Sequence, residues 1–343
     1  MGELITLPNL CAGAVMAALT AYVVLAGADF GGGVWDLLAS GPRKSEQRAL
    51  VARAIGPIWE ANHVWLILVV VLLFMCFPPA FALLMTSLNV PLTLMLIGIV
   101  LRGSAFAFRA YDFRGEARER TWGRLFAIAS VITPVLLGVC IGAIASGALG
   151  DVPTHNDVYG IYFAPWIAPF PIVCGVLALT MFTFLAAVYL TCEAPYDSLR
   201  EDFRTRALWS AAAVFIAAFG ALGVAEMTAP RVSSALMRSP WSIPFQLVTG
   251  GVALAAIFSL WTRRWRAARI AAPAQVAFIL WGWGLSEYPA LIPGRLSIAE
   301  AAAPAITLRL ALYALVAGGT VLFPSLWYLF RVFKGRDPAG GTL

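Results

Sequence analysis

The feature that most constrains this chain is a recurrence of long apolar runs, separated by short connections rich in arginine. A helix needs about 20 predominantly apolar residues to cross the hydrocarbon of a bilayer. The sequence offers such stretches at approximately 9–38, 57–78, 80–102, 124–147, 163–191, 206–228, 243–262, 270–289 and 305–331. Composition agrees: of 343 residues, 61% are hydrophobic and 12% charged, against about 45–50% and 25% in a soluble domain, and the mean hydropathy is +0.83. The expected fold is an all-α integral membrane protein with nine transmembrane helices, forming one polytopic domain over 1–343. The longest connections, 148–162 and 229–242, are too short to carry a core of their own. Span one is long enough to tilt or to break at its glycines. Phe77-Pro78-Pro79-Ala80 reads as a tight turn joining spans two and three, and Pro57 as a first-turn proline.

The net charge of +6 is distributed in a way that sets orientation. Twenty of the 24 Lys and Arg residues fall after spans one, three, five and seven or in the C-terminal tail; Arg102 and Arg109 are counted after span three. The opposite connections hold only Arg231, Arg238, Arg295 and Arg309. Basic residues accumulate on the cytoplasmic side, so the N-terminus is expected outside and the C-terminus in the cytoplasm. No nucleic-acid partner is implied, because the charge follows the connections.

Other readings are set aside. Glu3 and the lack of a basic opening argue against a cleavable signal peptide. The match of Met1 to Thr6 to a myristoylation pattern is taken as chance in a nine-span chain. Cys11, Cys76, Cys140, Cys174 and Cys192 are scattered without metal-ligand spacing and read as small apolar residues, so no metal is expected. Gly31-Gly32-Gly33 suits a close backbone approach or a helix break and lacks the spacing of a nucleotide loop. No repeat of fixed period is visible.

Ionisable groups at membrane depth point to function, with a partner to be named. Asp29 lies in the cytoplasmic half of span one; Glu60, Asn62 and His63 occupy the first two turns of span two, on the same side. Glu60 and His63, three apart, share a helix face. Two carboxylates and an imidazole near one side suit a proton-uptake path, each holding a proton if burial moves its pKa toward neutrality. Alternatively, Glu60 serves the positive end of its helix and Asn62 and His63 bond neighbouring helices. Trp35, Trp59 and Trp65 read as packing or interfacial anchors, and Glu226 and Glu287 as carboxylates near the outside ends of spans six and eight. A haem carrier needs axial ligands within its spans. With only His63 and His155, the second in an outside connection, any redox cofactor is expected in a partner.

Four spaced segments resemble subunit II of the cytochrome bd ubiquinol oxidases. PIWEANHVWLI (57–67) resembles P-x-W-[DE]-x-N-x-V-W-L, and ADFGGGV (28–34) the family's GFD-x-G-x-G. LRGSAFAFR (101–109) is similar to the end of the third helix, and YPALIPGRLSIAEAAAPAITL (288–308) to the final outside loop. The resemblance implies two four-helix bundles plus one peripheral helix, in a heterodimer with subunit I, which holds the haems and the quinol site. It implies a bacterial cytoplasmic membrane protein of the respiratory chain, with no catalytic residue and no cofactor of its own beyond a structural quinone or lipid. Asp29 and Glu60 then match the family's proton-path carboxylates. Asn62 and Trp65 match signature positions, with Gly31, Gly33, Trp59, Arg102 and Arg109 as structural or interface positions. The chain departs from the pattern at Ala26 and Ala107, where many members carry acids, and at Ile58, where some carry a histidine that His63 replaces one turn further in.

The favoured function is therefore the non-haem subunit of a terminal oxidase, supporting quinol oxidation coupled to reduction of oxygen to water. The rival is a proton-coupled transporter. Transporters commonly show inverted repeats and midplane sites, whereas these acids lie toward one side.

Overall fold

The computed structural model describes residues 5–56, 59–111, 116–149 and 158–334. In chain order the helices are α1 (Leu7–Leu37), α2 (Lys44–Ile55), α3 (Trp59–Cys76), α4 (Pro78–Ser87), α5 (Asn89–Tyr111), α6 (Glu116–Ala145), α7 (Val158–Tyr162), α8 (Pro169–Glu193), α9 (Asp197–Thr228), α10 (Pro230–Arg238), α11 (Ser242–Trp261) and α12 (Trp265–Glu287). A small antiparallel hairpin, β1 (Ala290–Ile292) and β2 (Leu296–Ser297), leads into α13 (Ala305–Lys334).

Helix α1 starts where the Thr6 hydroxyl accepts the Asn9 N–H, with a proline in its first turn, both favourable at a helix start. It is apolar on all sides, as suits a buried helix, and packs against α3, α6, α8, α12 and α13. It runs unbroken through Gly31-Gly32-Gly33, whose small size is used for packing. A Cβ on Gly31 would collide with the Phe182 carbonyl and the Ala186 side chain of α8, and one on Gly33 with the Ser130 hydroxyl of α6. Helices α6 and α8 meet in the same way, where a Cβ on Gly175 would stand 2.7 Å from the Val135 carbonyl oxygen. Between membrane helices, where lipid tails are as apolar as leucine, such close packing supplies much of the association energy.

Eight described helices are long and apolar enough to cross a membrane: α1, α3, α5, α6, α8, α9, α11 and α13. The stretch expected as the eighth span is one 23-residue helix, α12, about 34 Å long at 1.5 Å per residue. Arg266, Arg269 and Gln275 lower its hydropathy below that of the others. The expected turn at 77–80 and span at 80–102 need correction. Pro78 and Pro79 open a separate ten-residue helix, α4, and the chain restarts at Asn89 because Pro91 has no N–H to continue the ladder. Helix α5 then runs to Tyr111, so Arg102 belongs to a helix interior and leaves the count of loop cations. Pro57, Ile58 and His155 lie outside the described residues.

The connections split cleanly between two ends. At the basic end, Arg43 Nε and Gln47 Nε2 both donate to Asp202 Oδ2, at 2.8 and 2.9 Å, and Arg206 Nη2 donates to Gln47 Oε1 at 2.7 Å. These bonds tie α2 to α9, while Arg204 Nε reaches the Leu260 carbonyl at 2.8 Å. The opposite end holds α4, α10 and the hairpin, where Gly294 takes a positive φ of 76° at the turn. The Ala303 N–H donates to the Cys76 carbonyl at 2.8 Å, closing this end over α3.

Candidate functional site

Where α1 crosses α3, Asn62 Nδ2 donates to Asp29 Oδ2 at 2.7 Å. Both side chains are buried, Asp29 at 4% exposure and Asn62 at 3%. A carboxylate withdrawn from water needs hydrogen-bonding partners, and Asn62 is one that stays neutral. The two residues share the basic end's half of the molecule, and the glycine seam of α1 against α8 and α6 holds Asp29 at this depth.

Arg102, 1% exposed, is the largest fully buried side chain among the described residues. Its Nε donates to the Ser130 hydroxyl at 3.2 Å, which in turn donates to the Phe126 carbonyl at 2.7 Å. The guanidinium carbon stands 4.7 Å from the centre of the Phe30 ring and 5.1 Å from that of Phe126, a cation–π sandwich strengthened by desolvation. Asp29 and Tyr22 lie within its electrostatic reach. A buried cation and a buried carboxylate thus lie in the same region of the helix bundle.

His63 is boxed by rings, with centroids 5.7 Å from Phe30, 5.9 Å from Tyr22 and 6.3 Å from Trp59. Its ring nitrogens and the Tyr22 hydroxyl are buried without a hydrogen-bond partner, so His63 and the Asp29–Asn62 pair are not directly bonded. Glu60 points elsewhere: it is exposed, about 200° around the helix from Asn62 at 100° per residue. It begins an outward stripe with the exposed apolar side chains Val64, Ile67, Val71 and Phe74. The expectation of one acidic cluster therefore divides into a buried node at Asp29 and an outward carboxylate at Glu60. Trp59 packs on Phe106 and fills the space beside Gly103, while half-buried Trp65 packs on the core. Ala26 is fully buried, one helical turn from both Tyr22 and Phe30 on α1. Ala107 is half-buried on α5. Arg109 falls within α5, its side chain outside the described residues.

One wall of a cavity of about 170 Å³ is formed by Asp29 and Asn62. Tyr189 and Glu193 of α8 and Arg269 of α12 line it as well. Small-molecule sites run to roughly 300–1,000 Å³, so this space suits water rather than a haem or a quinone. Among the described residues, no group of three or more His, Cys, Asp or Glu is placed to hold a metal ion. Sequence reasoning missed Glu193, Tyr189, Ser130 and Tyr22 altogether and treated Arg269 only as a loop cation.

The model of the family described as cytochrome bd terminal oxidase subunit II matches residues 7–333. This chain belongs to that family. It is 27% identical to cytochrome bd-I ubiquinol oxidase subunit 2 of Escherichia coli K12 over 213 residues, 60% of this chain and 53% of that one. The chain thus spans about half the length of that curated relative. The putative cytochrome bd menaquinol oxidase subunit II of Bacillus subtilis is 23% identical over 328 residues, 92% of each chain. The structure of bd oxidase from Geobacillus thermodenitrificans superposes with a TM-score of 0.74 at 22% identity, covering 97% of this chain and 100% of that one. That likeness establishes the fold. Membership of the family and the apolar helices make this a multi-pass protein of the bacterial inner membrane.

Proposed function

We propose that this chain is the non-haem subunit of a cytochrome bd-type terminal oxidase, supporting quinol oxidation coupled to reduction of oxygen to water. Within it, Asp29 is the interior station of a cytoplasmic proton-uptake path. What supports the path is the buried Asp29–Asn62 pair, which opens onto a largely apolar cavity that Tyr189, Glu193 and Arg269 of the basic end also line. A carboxylate in that setting can hold a proton and release it, with Asn62 orienting the group in both states.

The topology that goes with this reading has nine crossings, α12 included, the N-terminus outside and the C-terminus in the cytoplasm. The gathering of the basic connections at one end supports it. Haems and the quinol site belong to the partner subunit. The E. coli relative is named for ubiquinol and the Bacillus relative for menaquinol; the path serves either donor. Glu60 supports a partner on the α3 face, since a carboxylate on an apolar stripe at membrane depth is costly against lipid. Covered by subunit I, Glu60 becomes the point where the path crosses between chains, and His63 sets the aromatic wall between it and Asp29. A proton-coupled transporter would use the same acid, but family membership favours the oxidase.

The test is co-expression with the haem-bearing partner. Co-purification with a reduced-minus-oxidised haem spectrum and quinol-dependent oxygen consumption is expected, and Asp29→Asn should slow turnover while leaving that spectrum intact. A haem-free chain that purifies alone and moves a solute would overturn the oxidase reading.

A further inference from the structure

We propose that protons enter toward Asp29 through the cavity bounded by α2, α8 and α12, with Glu193 collecting them at the basic end and Arg269 as its positioning residue. The inference rests on the reading of Asp29 as an uptake station and adds the route by which that station is filled.

Glu193 and Asp29 line the same cavity, so one space joins a carboxylate near the surface to a buried one. Its volume of about 170 Å³ admits several waters, given about 30 Å³ for each in the liquid, and within a largely apolar lining Asp29, Asn62, Tyr189, Glu193 and Arg269 supply polar partners for them. Glu193 is 28% exposed and Arg269 45%, which puts the pair at the boundary between solvent and cavity. Arg269 Nη1 stands 3.8 Å from Glu193 Oε1, beyond direct hydrogen-bonding distance. The guanidinium also lies over the Tyr189 ring, 6.0 Å from its centre. This cation keeps the carboxylate at the mouth of the cavity.

The position of Glu193 is not one that the helix dipole favours. It is the last residue of α8, where the negative end of the dipole opposes a carboxylate. Glu60, by contrast, is on the far side of α3 from Asn62 and forms no part of the cavity lining. The transfer involves only O–H bonds: a proton from bulk water binds the Glu193 carboxylate. That O–H bond then breaks as a proton passes along water to the Asp29 carboxylate, and no electron moves.

The experiment uses the complete two-subunit oxidase carrying Glu193→Gln, Glu193→Asp, Ala28→Leu or Asp29→Asn. Ala28 lines the cavity, so leucine there fills the space while leaving every titratable group in place. Oxygen consumption, proton uptake after an oxygen pulse and anaerobic reduction of haem by quinol are measured on each. Glu193→Gln and Ala28→Leu should slow proton uptake and turnover by about tenfold, a factor equivalent to 1.4 kcal/mol of barrier, with haem reduction at the wild-type rate. Glu193→Asp should restore most of the loss. If Asp29→Asn is slow while Glu193→Gln and Ala28→Leu turn over normally, the entry route is wrong and the uptake station stands. If Asp29→Asn itself is normal, the uptake reading and this inference fall together. Slowed haem reduction in Glu193→Gln, unrescued by aspartate, makes Glu193 structural and overturns the proposal.

Discussion

Asp29 and Glu60 lie at neighbouring depths on adjacent helices, yet one is sealed into the seam of α1, α3 and α8 and the other faces out of the chain. Asp29 has Asn62 on its oxygen and Arg102 within reach. Glu60 is followed along α3 by Val64, Ile67, Val71 and Phe74, all exposed. The two surroundings imply different roles. The first is complete within this chain, with its counter-charge built in. The second is half a site, made whole only when a partner covers the stripe.

The comparison breaks most severely at its glycine seam. Gly31→Leu should prevent assembly, because its side chain meets the Phe182 backbone carbonyl rather than a movable rotamer, a penalty above the ~1–3 kcal/mol of ordinary overpacking. Size-exclusion of the co-expressed complex checks this, with Ile216→Ala on the exposed face of α9 as the tolerated control. Next is Arg102→Met. It removes the cation within electrostatic reach of Asp29 and the hydrogen bond to Ser130, and thermal unfolding in detergent should report a loss of ~1–3 kcal/mol. If stability is unchanged, Arg102 is not what holds the node.

Asp29→Asn comes third: about tenfold slower turnover, or ~1.4 kcal/mol, with the complex intact. Glu60→Gln should slow turnover by less and weaken retention of the partner on an affinity column. Equal slowing by both substitutions would mean that the two acids work in series with the same barrier, erasing the distinction drawn here.

The smallest effect concerns an acid outside the membrane spans. Glu300 accepts from the Ser297 N–H and from its hydroxyl, each at 2.8 Å. These bonds hold its carboxyl below the usual carboxylate range. A lowered folded pKa contributes stability that is full above the ordinary value of about 4.3 and is lost as the pH falls through the folded value. Hydrogen exchange in the 288–304 segment should therefore rise on acidification below that range. Glu300→Gln should remove the pH dependence.

The elements themselves were largely legible. Length and apolarity located the long helices, because a bilayer crossing imposes both. The errors arose where local chemistry outranked apolarity. Pro91 splits what read as one span into α4 and α5, which moves Arg102 from a loop to the interior. The arginines of α12 lower its hydropathy without preventing a 23-residue helix. For the site, the sequence pointed to Asp29 and Asn62, and the structure brings them together. It assigned Glu60 and His63 to the same cluster because it ranked residues by depth.

Depth is what a sequence with hydropathy and charge bias determines by itself: which residues lie in the membrane, and near which end. Azimuth is what only the tertiary structure decided. Rotation about α3 places Asn62 inward and Glu60 outward, and the packing of α8 and α12 brings Glu193 and Arg269 to a cavity that Asp29 also lines. The physical reason is that an apolar helix looks alike on every side to the bilayer. With little amphipathic pattern to mark an inner face, its rotation is set by which small residues let a neighbour approach, as Gly31 does against Phe182.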